Sequence, residues 1–89
     1  MLFMNIVTWD PKDNKEMERR YVEWNWPEGI DVISEWVDLS SCRFVGVYEV
    51  ESAEAYAAVN LPWKDICWID SFPVMRGREL IEFIAEHEM

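Results

Sequence analysis

The opening run Leu2-Phe3-Met4-Asn5-Ile6-Val7-Thr8-Trp9 is apolar at nearly every position. β-prone residues without in-and-out alternation read as a strand buried on both faces. Such a strand needs cover above and below, and a chain of 89 residues has few elements to supply it. Three further stretches have strand character: residues 30–38 (IDVISEWVD), 43–50 (RFVGVYEV) and 66–75 (ICWIDSFPVM). Leu39-Ser40-Ser41-Cys42 is short enough to join the second and third as a hairpin. Pro73 pushes the end of the fourth toward a sheet edge, because proline cannot donate to a ladder.

Helical patterns lie between the strands. Asp10-Pro11 supplies an N-cap followed by proline at the first helical position. From there to about Asn25, Met17, Tyr21 and Trp24 recur at helical spacing among charged residues, which gives a narrow buried stripe. Trp26-Pro27-Glu28-Gly29 is a turn. A second helix opens at Glu51-Ser52-Ala53-Glu54, with Ser52 as cap, and ends near Asn60 before Pro62. Residues 77–87 can form a last helix carrying Leu80, Ile81, Phe83 and Ile84. The order β-α-β-β-α-β plus a terminal helix predicts one α+β domain over residues 1–89. The pattern is a ferredoxin-like βαββαβ sandwich with a four-stranded antiparallel sheet in the order 4-1-3-2.

Charge narrows the partners. Eighteen acids against eight bases give a formal net charge of −10, with no Lys/Arg cluster to displace counterions from phosphates. Nucleic acid and anionic membrane are therefore not expected partners. The acidity suits solubility, or a cytoplasm rich in salt or cations. The N-terminal run lacks a basic flank, is broken at Asn5 and is too short to span a bilayer, so a cytoplasmic location is expected. Cys42 and Cys67 stand in no metal spacing and read as buried free thiols of a reducing compartment. Six tryptophans exceed what so small an interior can hide; some must lie at a pocket, an interface or the surface.

The strands also predict assembly. A ferredoxin-like monomer packs its helices on one sheet face, and the other face should then alternate apolar with polar residues. Here Leu2, Met4 and Ile6 oppose Phe3, Val7 and Trp9; Val45 and Val47 oppose Phe44 and Tyr48; Ile69 opposes Ile66, Trp68 and Phe72. An uncovered sheet would expose a large apolar patch. A second copy packed sheet to sheet covers it in a two-fold homodimer, whereas the terminal helix could screen only part. The segments MLFMNIV, GIDVISEWVD, RFVGVYEVES and WKDICWIDSFPV resemble uncharacterised short proteins of the dimeric α+β barrel superfamily, over nearly the whole chain. The resemblance implies a sheet-to-sheet homodimer around a barrel-like cavity. It implies no single activity, since that superfamily includes cofactor-independent monooxygenases, small isomerases, haem-degrading enzymes and stress-related proteins.

Side-chain alternation assigns Asn5, Tyr48, Trp68 and Asp70 to the face that would line such a cavity. There a buried Asp70 would serve as a base, with Asn5 or Tyr48 polarising a substrate. Alternatively, Asn5 and Asp70 hydrogen-bond each other or the partner and fix register. Arg43 either pairs with Asp38 to pin the hairpin, with Trp36 packed nearby, or engages a substrate carboxylate. Trp63, beside Lys64 and Asp65, either contacts a ligand at the cavity mouth or packs under the second helix. Trp24 and Trp26 close the base of the first helix. His87, the lone histidine, lies near the end of the chain, and no helix in its middle offers an axial ligand, so haem is not expected. No metal set, phosphate loop or hydrolase elbow is present, and no cofactor is expected. Three readings follow: a ligand-binding dimer with a tryptophan-rich cavity for an apolar or aromatic metabolite; a cofactor-independent monooxygenase or isomerase acting on an aromatic or polyketide-like compound; or a structural subunit that docks on another protein.

Overall fold

The doubly apolar first strand occupies the inside of the sheet. The computed structural model describes residues 1–87. In it, β1 (Leu2–Trp9) lies between β3 (Arg43–Val50) and β4 (Cys67–Pro73), and β2 (Ile30–Val37) completes the order β2-β3-β1-β4. Every neighbouring pair is antiparallel. Helices α1 (Asn14–Glu23) and α2 (Ala53–Asn60) follow β1 and β3, and α3 (Gly77–His87) ends the described chain. This is the ferredoxin-like βαββαβ topology with an added helix. None of the helices is long and apolar enough to cross a membrane, among the described residues.

Local chemistry accounts for the boundaries. The Asp10 side chain accepts from the Lys12 N–H at 3.0 Å, and Pro11–Asp13 form a 3-10 turn that leads into α1. Helix α1 stops at Glu23, two residues before the predicted end. Trp24 already has extended backbone (φ −69°, ψ 130°), so its ring leaves the Met17 stripe. Ser52 caps α2 by accepting from the Ala55 N–H at 3.1 Å, and α2 gives way to a 3-10 turn, Leu61–Trp63, that accommodates Pro62. Pro73 closes β4, which is an edge strand.

Register decides which residues share a face, because cross-strand partners point the same way. Asn5 stands opposite Gly46 and Ser71, and Phe3 opposite Tyr48; these side chains face the helices. Ile6 stands opposite Val45 and Asp70, and Thr8 opposite Trp68, on the other face. The expectation that Asn5, Tyr48, Trp68 and Asp70 converge is therefore corrected. Asn5 and Tyr48 lie under the helices, while Asp70 and Trp68 lie exposed on the open face. Asp70 and Trp68 thus lie on the face expected of them, and Asn5 and Tyr48 fall on the other, because parity between neighbouring strands depends on a register that a one-residue shift reverses.

Helix α2 sits close to the sheet because its inward positions are small: Ala55, Val59 and Asn60 are buried. Gly29 (φ +88°) lets the chain enter β2 beneath it, where a Cβ would come within 3.1 Å of the Ala55 methyl. The buried Asn5 ties the layers together. It donates from Nδ2 to Asn60 Oδ1 at 2.8 Å and accepts at Oδ1 from the Tyr48 hydroxyl at 2.9 Å. Asn60 Nδ2 in turn donates to the Tyr56 carbonyl at 3.0 Å. Tyr48 is fully buried.

Helix α3 differs from the others. None of its residues is buried, and Leu80, Ile81, Phe83 and Ile84 are all exposed. The Cα radius of gyration is 15.3 Å, against roughly 12 Å for a compact chain of this length.

Two substitutions test this core. Tyr48→Phe removes the hydroxyl that Asn5 Oδ1 accepts from and should cost about 1–3 kcal/mol in urea unfolding, with an unchanged m-value. Gly29→Ala should cost more than ~1 kcal/mol by the same measurement, because its φ and the Ala55 contact both oppose a methyl group.

Candidate functional site

The first helix does not press onto the sheet as the second does. Between α1, the helix-side sheet face and the β2–β3 hairpin lies a cavity of about 530 Å³. Trp9, Tyr21, Trp24, Trp26, Phe44 and Trp63 give it aromatic walls, so four of the six tryptophans line one space. The rings brace one another edge to face: Trp24 lies 5.2 Å from Trp63 and 5.8 Å from Trp26, and Tyr21 lies 5.7 Å from Phe44. Trp26 also leans on Tyr48 at 5.9 Å, which links this wall to the buried Asn5. Gly46 leaves room for the Phe44 ring; a Cβ there would stand 2.9 Å from it.

Polar groups gather at one side. Asn14 Oδ1 accepts from Trp9 Nε1 at 3.0 Å and from Cys42 Sγ at 3.8 Å, while its Nδ2 donates to Glu18 at 3.0 Å. Asp38 folds the hairpin by accepting from the Ser40 N–H at 2.8 Å and the Ser40 hydroxyl at 2.7 Å. Those bonds, with a smaller contribution from Arg43, hold its carboxyl below the ordinary aspartate range. Tyr21 donates to Glu35 at 3.0 Å, and its phenol is raised, mainly by burial and then by that carboxylate. Burial also raises the Tyr48 phenol.

Helix α1 is anchored from outside the cavity. Arg20 grips Asp65 with two bonds of 2.9 and 2.7 Å, and also donates to Glu16 at 3.0 Å. This joins α1 to the segment that carries Trp63. The Arg19 and Arg20 guanidiniums pull the Glu16 carboxyl down to about 2, and Arg20 lowers Asp65.

Of the residues singled out from sequence, Asn5 and Trp63 reach the cavity, and Tyr48 stands behind it. Asn5 serves the structural alternative, with its bonds made to Asn60 and Tyr48 rather than to Asp70. Arg43 Nε lies 3.7 Å from Asp38 Oδ2 across the hairpin, an ion contact without a hydrogen bond; Trp36 does not pack there and is 67% exposed on the open face. Asp70 and Trp68 lie outside the cavity. An acid–base set of Asp70 with Asn5 or Tyr48 is not assembled within one chain. His87 is exposed and stacks on Phe83 at 4.1 Å. Cys42 is a half-buried wall residue, and Cys67 is buried, its thiol pushed up to about 11 by burial. No group of three His, Cys, Asp or Glu is placed to hold a metal, among the described residues.

Sequence reasoning missed Asn14, Glu18 and Phe44. Asn14 and Glu18 did carry a signal: they are four residues apart, on the same side of α1, flanking Met17.

A family model described as a domain of unknown function, DUF3303, matches residues 1–88, and the chain belongs to that family. No curated protein and no solved structure matches it.

The α1 anchor makes stability depend on acid. Glu16, Asp65 and Asp38 all have lowered folded-state values, so their contribution is full above the unfolded carboxylate range and fades as pH falls through the folded values. The urea midpoint should drop steadily between about pH 5 and pH 2. Arg20→Met should flatten that slope; an unaltered slope would show that the anchor contributes nothing.

Proposed function

We propose that this member of the family is a small-molecule-binding protein that holds an apolar or aromatic ligand in the cavity under α1, and that it works as a homodimer through its open sheet face. The cavity carries the first half. Its volume of about 530 Å³ falls in the roughly 300–1,000 Å³ range of small-molecule sites, and its mostly apolar walls with a few polar groups at one side suit a ligand held in one orientation. Rings braced on one another also keep the space from collapsing, since each would have to give up its neighbours to fill it.

The open face supports the second half. Met4, Ile6, Val45 and Val47 form its centre, and the two large exposed tryptophans, Trp36 (67%) and Trp68 (66%), lie on its flanking strands. Strands of seven or eight residues make a four-stranded face on the order of 500 Å² in projection. Accessible area exceeds projected area wherever side chains stand out, which brings the face toward the ~800 Å² per partner typical of stable interfaces. In a face-to-face pair Asp70 and Trp68 would enter the interface, still apart from Asn5 and Tyr48. The dimeric α+β barrel arrangement is the form such a pair would take.

Cys42 reports on the ligand half, because it lines the cavity. A panel of apolar and aromatic metabolites should yield at least one that both quenches tryptophan fluorescence and slows Cys42 alkylation severalfold. Trp63→Ala should weaken that binding about tenfold or more, and Trp68→Ala, outside the cavity, should weaken it far less. A panel with no protecting compound, or equal loss in both variants, would remove the cavity from the proposal.

The assembly half is read by light scattering after size exclusion. A two-chain mass is expected, reduced to one chain by Val47→Lys. A monomer at micromolar concentration would overturn it and leave the face with its exposed tryptophans for a different protein.

A further inference from the structure

The charge around the cavity is one-sided. Two carboxylates, Glu18 from α1 and Asp38 from the hairpin, are among its lining residues, and no lysine, arginine or histidine is. Asp38 is partly answered by Arg43 at 3.7 Å. Glu18 forms no ion pair among the described residues and is met only by the neutral Asn14 amide. It lies one helical turn before Tyr21, whose ring meets Phe44 at 5.7 Å. One carboxylate without a basic partner thus lines a cavity whose walls are largely aromatic.

We infer that the ligand class of this cavity is an organic cation, an alkyl- or arylammonium whose charged head rests against Glu18 and the aromatic wall while its apolar part fills the space among the tryptophans. The inference deepens the cavity reading and rests on it. An anion would meet two carboxylates and no counter-charge. A neutral aromatic would fill the walls but gain no charge attraction from Glu18. A cation over aromatic faces is attracted by the ring quadrupole, most strongly where water is excluded. The net charge of −10 adds long-range attraction for cations and repels anions. Glu18 is exposed, so its own contribution should be modest and salt-sensitive, with the rings supplying the larger part.

The test separates charge from shape. Choline and its uncharged carbon isostere, 3,3-dimethylbutan-1-ol, are titrated into the full chain alongside benzyltrimethylammonium and benzyl alcohol, with Cys42 protection and calorimetry as readouts. Each ammonium should bind about tenfold more tightly than its neutral counterpart. Glu18→Gln should reduce ammonium binding severalfold without moving the neutral compounds, and added salt should mimic that loss in the unsubstituted protein only. Phe44→Leu should weaken the ammonium probes more than the alcohols. Equal binding of charged and neutral partners would overturn the cation assignment while leaving an aromatic cavity in place. Protection of Cys42 by neutral compounds alone would overturn it in the same way. No protection by any of the four at millimolar concentration overturns it too, and loss of the cavity reading itself is then read from the separate metabolite panel.

Discussion

The hydrogen-bonded set of Asn5, Tyr48 and Asn60 governs where everything else can sit. It places an amide in the middle of the central strand, a phenol on the neighbouring strand and a second amide at the end of α2, all buried. Buried polar groups are costly unless satisfied, and no buried side-chain nitrogen or oxygen is left without a partner among the described residues. Satisfaction demands that α2 end at one height above the sheet, because Asn60, its amide held by the Tyr56 carbonyl of the same helix, must reach Asn5 on the strand below. The small residues Ala55 and Val59 allow that approach. The polar set thus acts as a locating device as well as a source of stability.

Helix α1 obeys the opposite constraint. Only Met17 on it is buried, and its exit carries Trp24 and Trp26, rings too large to lie beneath a closely packed helix. They brace against Trp63 and Tyr48 instead and hold α1 off the sheet. The helix is kept there by Arg20, whose two bonds to Asp65 reach the segment that bears Trp63. Close packing on one side and stand-off on the other follow from residue size on the two helices. The cavity is what remains between them.

These two mechanisms explain what the sequence reveals. Strand positions, the Asp10 and Ser52 caps, the stops at Pro62 and Pro73 and the strand order are local or topological, and they are legible. The pairing of β4 is not, because its side-chain parity depends on register against β1, and nothing within ICWIDSFPVM fixes that register. Asn5 and Tyr48, expected beside Asp70 and Trp68 on the open face, lie on the helix side instead, because the relative parity of β4 and β1 follows that register. On β2 a bulge between Val32 and Ser34 shifts parity again. The tryptophan surplus correctly signalled a pocket or an exposed face, and both exist. Which tryptophans go where depends on helix stand-off, a tertiary property. Asn60 left only a faint trace: a polar residue closing an otherwise apolar helix segment, AEAYAAVN.

The same strands serve both surfaces, and this ties cavity to assembly. Along β3, Phe44 turns into the cavity and Val45 onto the open face, and along β2, Val37 and Trp36 divide in the same way. The hairpin between them, Asp38 to Cys42, forms one rim of the cavity, and it is held mainly by its own internal bonds and the Trp9 N–H to Cys42 carbonyl bond. Covering Trp36 and Val45 from outside would restrict the backbone that presents Val37 and Phe44 inside. A partner on the open face would then reduce the ordering that a ligand must bring about in the rim, and binding and assembly would favour each other without sharing a single contact. By linkage, whatever one gains from the other must be returned in equal measure.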